Sequence, residues 1–338
     1  MSVLRPLLSP AGTTCLRVPR KLSVRGPRRF LHAVPSPRAL EALDEWISVE
    51  KTLTISDTIR PEHLSDLYVT LPTRDGSQRL YAPPKMGSPL AYGHHLVFFH
   101  PRNRESALRS DGTDADFCPP EPFTRRMWAG GRFDWKLQGE EGLLIGDGVQ
   151  AVSRIKEVQK KGFHPGGTPM VFVKQSIEYS KEGTGRVALE EERSHVYLAA
   201  PAHRRAVREV DHLRDIAKDR PWLDLEYLPS ATMLFRFSAL TFNGHHIHLN
   251  KEYARSEGYP ERLVHAPLTA LMLLELATNG LSEDLRIETF EYKAHNPMLV
   301  NRPVMLNAAW DDKANLDLWA ADEETGTVGM TATLRRGL

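Results

Sequence analysis

The sequence predicts an α+β fold in which two antiparallel sheets each wrap around a long helix. Three observations carry that expectation. From Arg125 onward the chain reads as a succession of strands separated by glycine turns. Near the C-terminal third, Pro267 to Thr278 is a strongly apolar helix. The second half then repeats the first in order, helix before meander, which is how a helix segregated on one face of an antiparallel sheet reads in sequence.

Leu40 to Trp46 has the pattern of a short helix, and Val49 to Ser56 alternates as a strand does. Pro61 to Tyr68 opens on a proline with an acid in its first turn, a helix start. Long Pro- and Gly-rich loops span Leu71 to Pro89 and Pro101 to Phe123; between them Ala91 to Phe99 is apolar enough for a buried helix or strand. Met127–Leu137, Gln150–Val158, Thr168–Ser180 and Arg186–Leu198 are rich in β-branched and aromatic residues, and Gly162, Gly166-Gly167 and Gly183-Thr-Gly185 mark the turns between them.

Ala202 to Pro229 is heavily charged, but Val207, Val210, Leu213 and Ile216 recur at helical spacing. A surface helix joining the halves is expected there. The second half then reads as a strand (Thr232–Thr241), a short polar helix (Asn250–Glu257), the apolar helix, and strands at Leu285–Ala294, Val304–Trp310, Leu316–Ala321 and Val328–Leu334. The domain expectation is a leader over 1–35, a first unit over 40–200, a charged helical linker over 201–229 and a second unit over 230–336.

Composition narrows the function. A chain of 338 residues with 41% hydrophobic and 26% charged residues and a net charge of +1 has no global electrostatic commitment to nucleic acid. The basic residues are uneven, however. Arg5, Arg17, Arg20, Lys21, Arg25, Arg28, Arg29 and Arg38 all precede the first acid, Glu41, with serines and threonines interspersed. An Arg-rich, hydroxyl-rich, acid-free leader without an apolar core matches a mitochondrial transit peptide, with processing near Arg28-Arg29-Phe30-Leu31 and the matrix as destination. Cys15 lies in the leader, so the mature chain keeps only Cys118, which makes no internal disulfide and has nothing to mark it as a nucleophile. No apolar run approaches the roughly 18 residues of a membrane span.

The chemistry concentrates in Phe235 to His248 and in His265 to Leu276. A neutral imidazole is the commonest general acid/base near neutral pH. Asn243 offers a donor and an acceptor and holds water or a hydroxyl in line without taking a proton. A helix opening near Ala266 presents unpaired N–H groups and a positive dipole end, which a thioester carbonyl needs while it gains enolate character. His245, His246 and His248 as a zinc cluster is disfavoured, because no Cys or acid pair lies nearby to complete it. His94 and His95 read as core histidines, and Gly130-Gly131 is no nucleotide loop.

Ser238-Ala-Leu-Thr-Phe-Asn-Gly-His-His-Ile-His248, then Tyr253-Ala254, Gly258-Tyr259 and Leu263-Val-His-Ala-Pro-Leu-Thr-Ala270, resembles the signature of MaoC-like dehydratases, roughly S-G-D-x-N-P-I-H followed by H-G-x-L-T. Pro89 to Phe99 and Arg125 to Gly131 are similar to the first hot-dog unit of fungal mitochondrial 3-hydroxyacyl-thioester dehydratases type 2 and of mesaconyl-CoA (C4) hydratases. The resemblance implies a double hot-dog fold, with the second unit catalytic and the first degenerate.

It also implies a catalytic pair at His248 and Asn243, where the family carries an aspartate at the second position. Substrate is then expected beside His265, Ala266, Pro267, Leu268 and Thr269, and beside Arg126 and Trp128. The implied activity is a hydro-lyase that interconverts (3R)-3-hydroxyacyl and trans-2-enoyl thioesters. No cofactor or metal is expected beyond the coenzyme A or acyl carrier protein that bears the acyl group, and oligomeric state is left open. The leading expectation is the dehydratase of mitochondrial fatty-acid synthesis. A hydratase of a mesaconyl- or itaconyl-type C5 acyl-CoA is the runner-up, and it calls for a pocket arginine, for which Arg126, Arg132 and Arg236 are candidates. A non-catalytic acyl-thioester-binding module is the reading from another class.

Overall fold

The computed structural model describes residues 35–199, 207–210, 221–280, 286–311 and 314–337. The basic leader with Cys15, and most of the charged linker, lie outside the described residues.

The chain enters through α1 (Pro37–Ser48), capped by the Ser36 side chain, which accepts from the Ala39 N–H at 3.2 Å. Leu43 of this helix is fully buried with Phe123, Val171, Val173 and Tyr197 in a small satellite core. β1 (Thr52–Thr58) and α2 (Pro61–Tyr68) follow, then a long connection containing a 3-10 turn at His94–Val97. β2 (Arg125–Trp135), β3 (Gly148–Lys161), β4 (Met170–Lys181) and β5 (Val187–Leu198) complete the first half. The second half runs β6 (Leu223–Tyr227), α3 (Ala231–Leu240), α4 (His246–Leu249), α5 (Lys251–Ser256) and α6 (Ala266–Gly280). It ends with β7 (Ile287–Ala294), β8 (Val304–Trp310), β9 (Leu316–Asp322) and β10 (Val328–Arg336).

The ten strands of the described residues join one antiparallel sheet in the order β1-β3-β4-β5-β2-β7-β10-β9-β8-β6. Each half therefore has the same internal order: first strand at the far edge, second strand at the centre. This is the double hot-dog architecture, and the internal duplication is written in its topology. The halves meet at β2 and β7, with Gly130 opposite Lys293 and Phe133 opposite Phe290. Glycine is required at this seam: a Cβ on Gly130 would lie 2.4 Å from the Tyr292 carbonyl oxygen, and one on Gly131 would lie 2.6 Å from the Tyr292 hydroxyl.

α6 is the core of the second half. Leu268 through Ala277 are all buried, which is why this helix is apolar on every side. Its counterpart in the first half is reduced to the 3-10 turn at His94–Val97, so the first sheet encloses no long helix among the described residues. His94 and His95 are buried there, as expected. His94 Nε2 meets Glu275 of α6 at 2.8 Å; the Thr73 hydroxyl and the Arg74 guanidinium also hold that carboxylate at 2.8 Å. A buried polar network thus ties the two halves together.

Two expectations are corrected. Thr232–Thr241 is not a strand but part of α3: the Ser230 side chain accepts from the Met233 N–H at 3.1 Å, and Leu234, Phe237 and Ser238 share one buried helical face. In the duplicated topology α3 stands where α2 stands in the first half. The end of the charged linker is also not helical. Leu223–Tyr227 is strand β6, paired antiparallel with β8, and Val207 to Val210 have no regular structure.

Candidate active site

The end of α3 sets the first element of the candidate site. After Leu240 the chain passes through Phe242 in the left-handed region (φ 48). Asn243 then folds back, its N–H donating to the Ser238 carbonyl at 2.8 Å and its Oδ1 accepting from the His245 N–H at 3.0 Å. This turn delivers the chain into α4, where His248 Nδ1 lies 2.8 Å from the Leu263 carbonyl. A carbonyl only accepts, so Nδ1 carries the proton and Nε2 keeps the lone pair. The ring stacks on His265 at 3.7 Å between centroids. His265 Nε2 in turn meets the Ser238 hydroxyl at 2.9 Å. Burial pushes His248 down to about 4 and also holds His265 well below the usual imidazole range, aided by His248 itself. Both rings are neutral near pH 7, the state a proton acceptor needs.

α6 sets the second element. Its first ladder bond runs from the Thr269 N–H to the His265 carbonyl at 3.1 Å. The amides of Ala266 and Leu268 precede that ladder, and Pro267 has no N–H. They point in the direction of the helix dipole's positive end.

A cavity of about 480 Å³ runs along both elements, lined by Asn243, His248, Ala266, Pro267 and Thr269. A smaller chamber of about 150 Å³ opens beside it into the first half, between the inner faces of β1, β3, β4 and β5. Arg126, Trp128, His195, Asn243 and Pro267 line both, so the two spaces share a wall that includes Asn243. His265 faces the chamber. Leu268 is the exception among the expected substrate residues: its side chain is fully buried in the core and lines neither space.

The three candidate arginines separate clearly. Arg236 is exposed and donates to the Val69 carbonyl at 3.1 Å. Arg132 is held by Asp134 at 2.7 and 2.8 Å. Arg126 alone faces the cavities, and no carboxylate lies within 4.0 Å of it among the described residues. Two histidines, His195 buried and His100 partly buried, join it on the chamber wall. His195 Nδ1 and His100 Nε2 have no partner, and burial pushes His100 down to about 3 and His195 well below its ordinary value. Arg193 also lines the chamber and is held by Glu191, with 2.5 Å from Nε to Oε1. Asp114 also lines the chamber and is held by Asn103 at 2.9 Å.

These chamber residues were missed in sequence, although a signal existed. Glu191, Arg193 and His195 alternate along β5 and so share one face. Among the described residues no group of three His, Cys, Asp or Glu side chains is placed to hold a metal ion.

Residues 93–300 match the family model described as hydroxyacyl-thioester dehydratase type 2. The chain belongs to that family. It is 33% identical over 260 residues to the mesaconyl-C(4)-CoA hydratase of Chloroflexus aurantiacus, a match covering 75% of this chain and 86% of the relative. It is 30% identical over 253 residues to the mitochondrial hydroxyacyl-thioester dehydratase type 2 of Schizosaccharomyces pombe, covering 67% and 81%. Among solved structures, a MaoC-like dehydratase from Phytophthora capsici superposes with a TM-score of 0.57 at 12% identity, covering 88% of this chain and 97% of that one. As a member of the hydroxyacyl-thioester dehydratase type 2 family the chain is an enzyme of the hydro-lyase class.

Proposed function

We propose that this enzyme interconverts (3R)-3-hydroxyacyl and trans-2-enoyl thioesters with His248 as its acid/base, and that its acyl group is short and carries a carboxylate. One observation carries the first part: a histidine whose Nδ1 is tied to the Leu263 carbonyl lines the same cavity as the N-terminus of α6. In dehydration, His248 Nε2 takes the proton from the α-carbon. The thioester oxygen gathers charge as the enolate forms, and the Ala266 and Leu268 amides stabilise it. The β-carbon–oxygen bond then breaks, the double bond forms, and the hydroxyl leaves as water with the proton that His248 returns. Asn243 orients that hydroxyl and carries no proton itself.

Arg126 supports the second part. A half-buried guanidinium with no carboxylate within 4.0 Å shares the chamber lining with partnerless nitrogens of His100 and His195, while the Asp114 and Asp116 carboxylates there are each held by the Asn103 amide at 2.9 Å. An alkyl tail gains nothing there, whereas a carboxylate makes charge-assisted hydrogen bonds. A chamber of about 150 Å³ also suits a short group better than a long chain. The hydratase of a mesaconyl- or itaconyl-type acyl group is thereby favoured over the dehydratase of fatty-acid synthesis. The acyl group rides on the pantetheine of coenzyme A or of a carrier protein, and no other cofactor is required. The basic leader supports work in the mitochondrial matrix; finding Met1 at the N-terminus of the native protein would count against it.

The test is a comparison of kcat/KM for purified protein on 3-hydroxyacyl thioesters of rising chain length and on C5 dicarboxyl thioesters. A preference of tenfold or more for a carboxylate-bearing substrate supports the reading, with about 1.4 kcal/mol per tenfold. Activity that rises with alkyl length returns the assignment to fatty-acid synthesis. Thioester binding without turnover points to a binding module.

A further inference from the structure

The family's aspartate is Asn243 here, yet a carboxylate reaches the same cavity from the other half of the molecule. Asp111 sits on the long connection before β2 and lines the cavity beside His245 and His248. It is buried and firmly placed. Its Oδ1 accepts from the Thr113 N–H at 3.0 Å and from the Thr113 hydroxyl at 2.6 Å, and its backbone carbonyl accepts from the His246 N–H at 2.9 Å. The two loops interlock through glycines: a Cβ on Gly112 would lie 2.3 Å from the Gly244 carbonyl oxygen. The second carboxylate oxygen, Oδ2, lies 4.0 Å from His245 Nε2 and 3.9 Å from the Arg109 guanidinium. His245 in turn stands edge-to-face with His248, 5.5 Å between centroids, and its backbone N–H is on Asn243 Oδ1.

We infer that Asp111 supplies, from the first half, the active-site carboxylate that position 243 lacks, as a positioning residue acting through His245. This rests on the hydro-lyase reading of His248. Oδ2 is within reach of the His245 ring directly after a small closure or through one bridging water. Accepting from Nε2–H fixes the tautomer and orientation of His245, leaving its Nδ1 lone pair for the substrate hydroxyl or the attacking water. The negative charge also offsets the imidazolium that forms transiently at His248, which burial and Arg126 both disfavour. The proton still travels from the α-carbon to His248 Nε2 and on to the leaving hydroxyl, so no further proton donor is needed. The other ionisable groups near this pair are Arg109, Arg126, His246, Tyr253 and Glu257; the Asp111 charge adds to burial and Glu257 in pushing the Tyr253 phenol up to about 12.

The test uses D111N, which keeps an oxygen for Thr113. kcat should fall about 10–100-fold with KM within about twofold, less than the roughly 10²–10⁴ that a direct acid/base group contributes, because Asp111 acts through His245. The His245 imidazole, followed by NMR in the full chain, should titrate lower in D111N, because a neighbouring anion has been removed. Adding N243D to D111N should restore turnover in part, by returning a carboxylate to the family position. Native kcat together with an unmoved His245 titration in D111N overturns the inference. If D111N also loses melting temperature, the double variant decides: recovered turnover without recovered stability supports the role, and failure to recover overturns it. An active native protein with a dead H248A and an unaffected D111N sinks this inference alone, whereas a native protein inert on every thioester sinks the hydro-lyase reading and this with it.

Discussion

Replacing His248 by alanine separates catalysis from stability in a way the structure lets one calculate. On the proposed mechanism the His248 ring takes the α-proton, so kcat should fall by about 10²–10⁴, the usual worth of a positioned acid/base. That is about 3–5 kcal/mol of barrier. The structural loss is smaller. The Leu263 carbonyl loses its 2.8 Å partner and His265 loses its stacked neighbour. An orphaned acceptor costs about 1–3 kcal/mol, and this one fronts a cavity that water can enter, so the lower end applies. The melting temperature should drop only about 2–4 °C per kcal/mol in a chain this long. The assay is the absorbance of the conjugated enoyl thioester, with the fold followed by circular dichroism. In the native enzyme kcat/KM per folded molecule should stay level from neutrality to about pH 5 and fall toward the His248 value of about 4, with the folded fraction read at each pH by circular dichroism. The variant should lack that limb. A variant with kcat within threefold of native and unchanged pH dependence would refute the assignment of His248.

Arg126→Gln should raise KM for a carboxylate-bearing thioester by about 10–100-fold, the worth of one charge-assisted hydrogen bond, and leave a simple short-chain thioester within about threefold; equal effects on both would sink the carboxylate reading. Glu275→Gln strips the charge that holds Arg74 and His94, so the chain should lose about 3 kcal/mol in urea unfolding while each folded molecule keeps near-native turnover; an unchanged urea midpoint would show that the network contributes nothing. Acid should destabilise the fold earlier than carboxylate titration alone. His94, His100 and His248 lie at about 4, 3 and 4, below the unfolded imidazole value, so the unfolded chain binds more protons on acidification. Their stabilisation is complete above about pH 6.5 and is lost toward pH 4, at about 1.4 kcal/mol per pH unit for each group. A urea midpoint that is equal at pH 7.5 and 5.5 would contradict this.

Strand length, β-branched content and glycine turns made most of the sheet legible: β3, β4 and β5 are 12–14 residues long, and β4 alternates between buried and half-buried residues along its length. Periodicity failed at Ala231–Leu240, where Phe235, Phe237 and Leu240 mimic a strand; the overlooked sign was Ser230, a cap that closes on Met233. It could not see that the first half replaces a helix by a turn, since Ala91–Phe99 is apolar in either case. At the candidate site, the loop-borne motif pointed to His248, Asn243 and the α6 start, which line one cavity. Asp111 and His100 stayed hidden because they come from the Pro- and Gly-rich connection, whose path is set by packing against the other half and not by any local pattern. Arg126 was legible as a candidate, but only the fold distinguishes it from Arg132 and Arg236.

The β2–β7 seam has one further consequence. Because the halves share a ladder, severing the chain between β5 and β6 would create two fragments, each ending in a bare central strand. Such edges are templates for pairing with any exposed strand. Expressed together, the fragments should find each other and reconstitute activity as a split enzyme. Expressed singly, each should self-associate into aggregates along that unpaired strand.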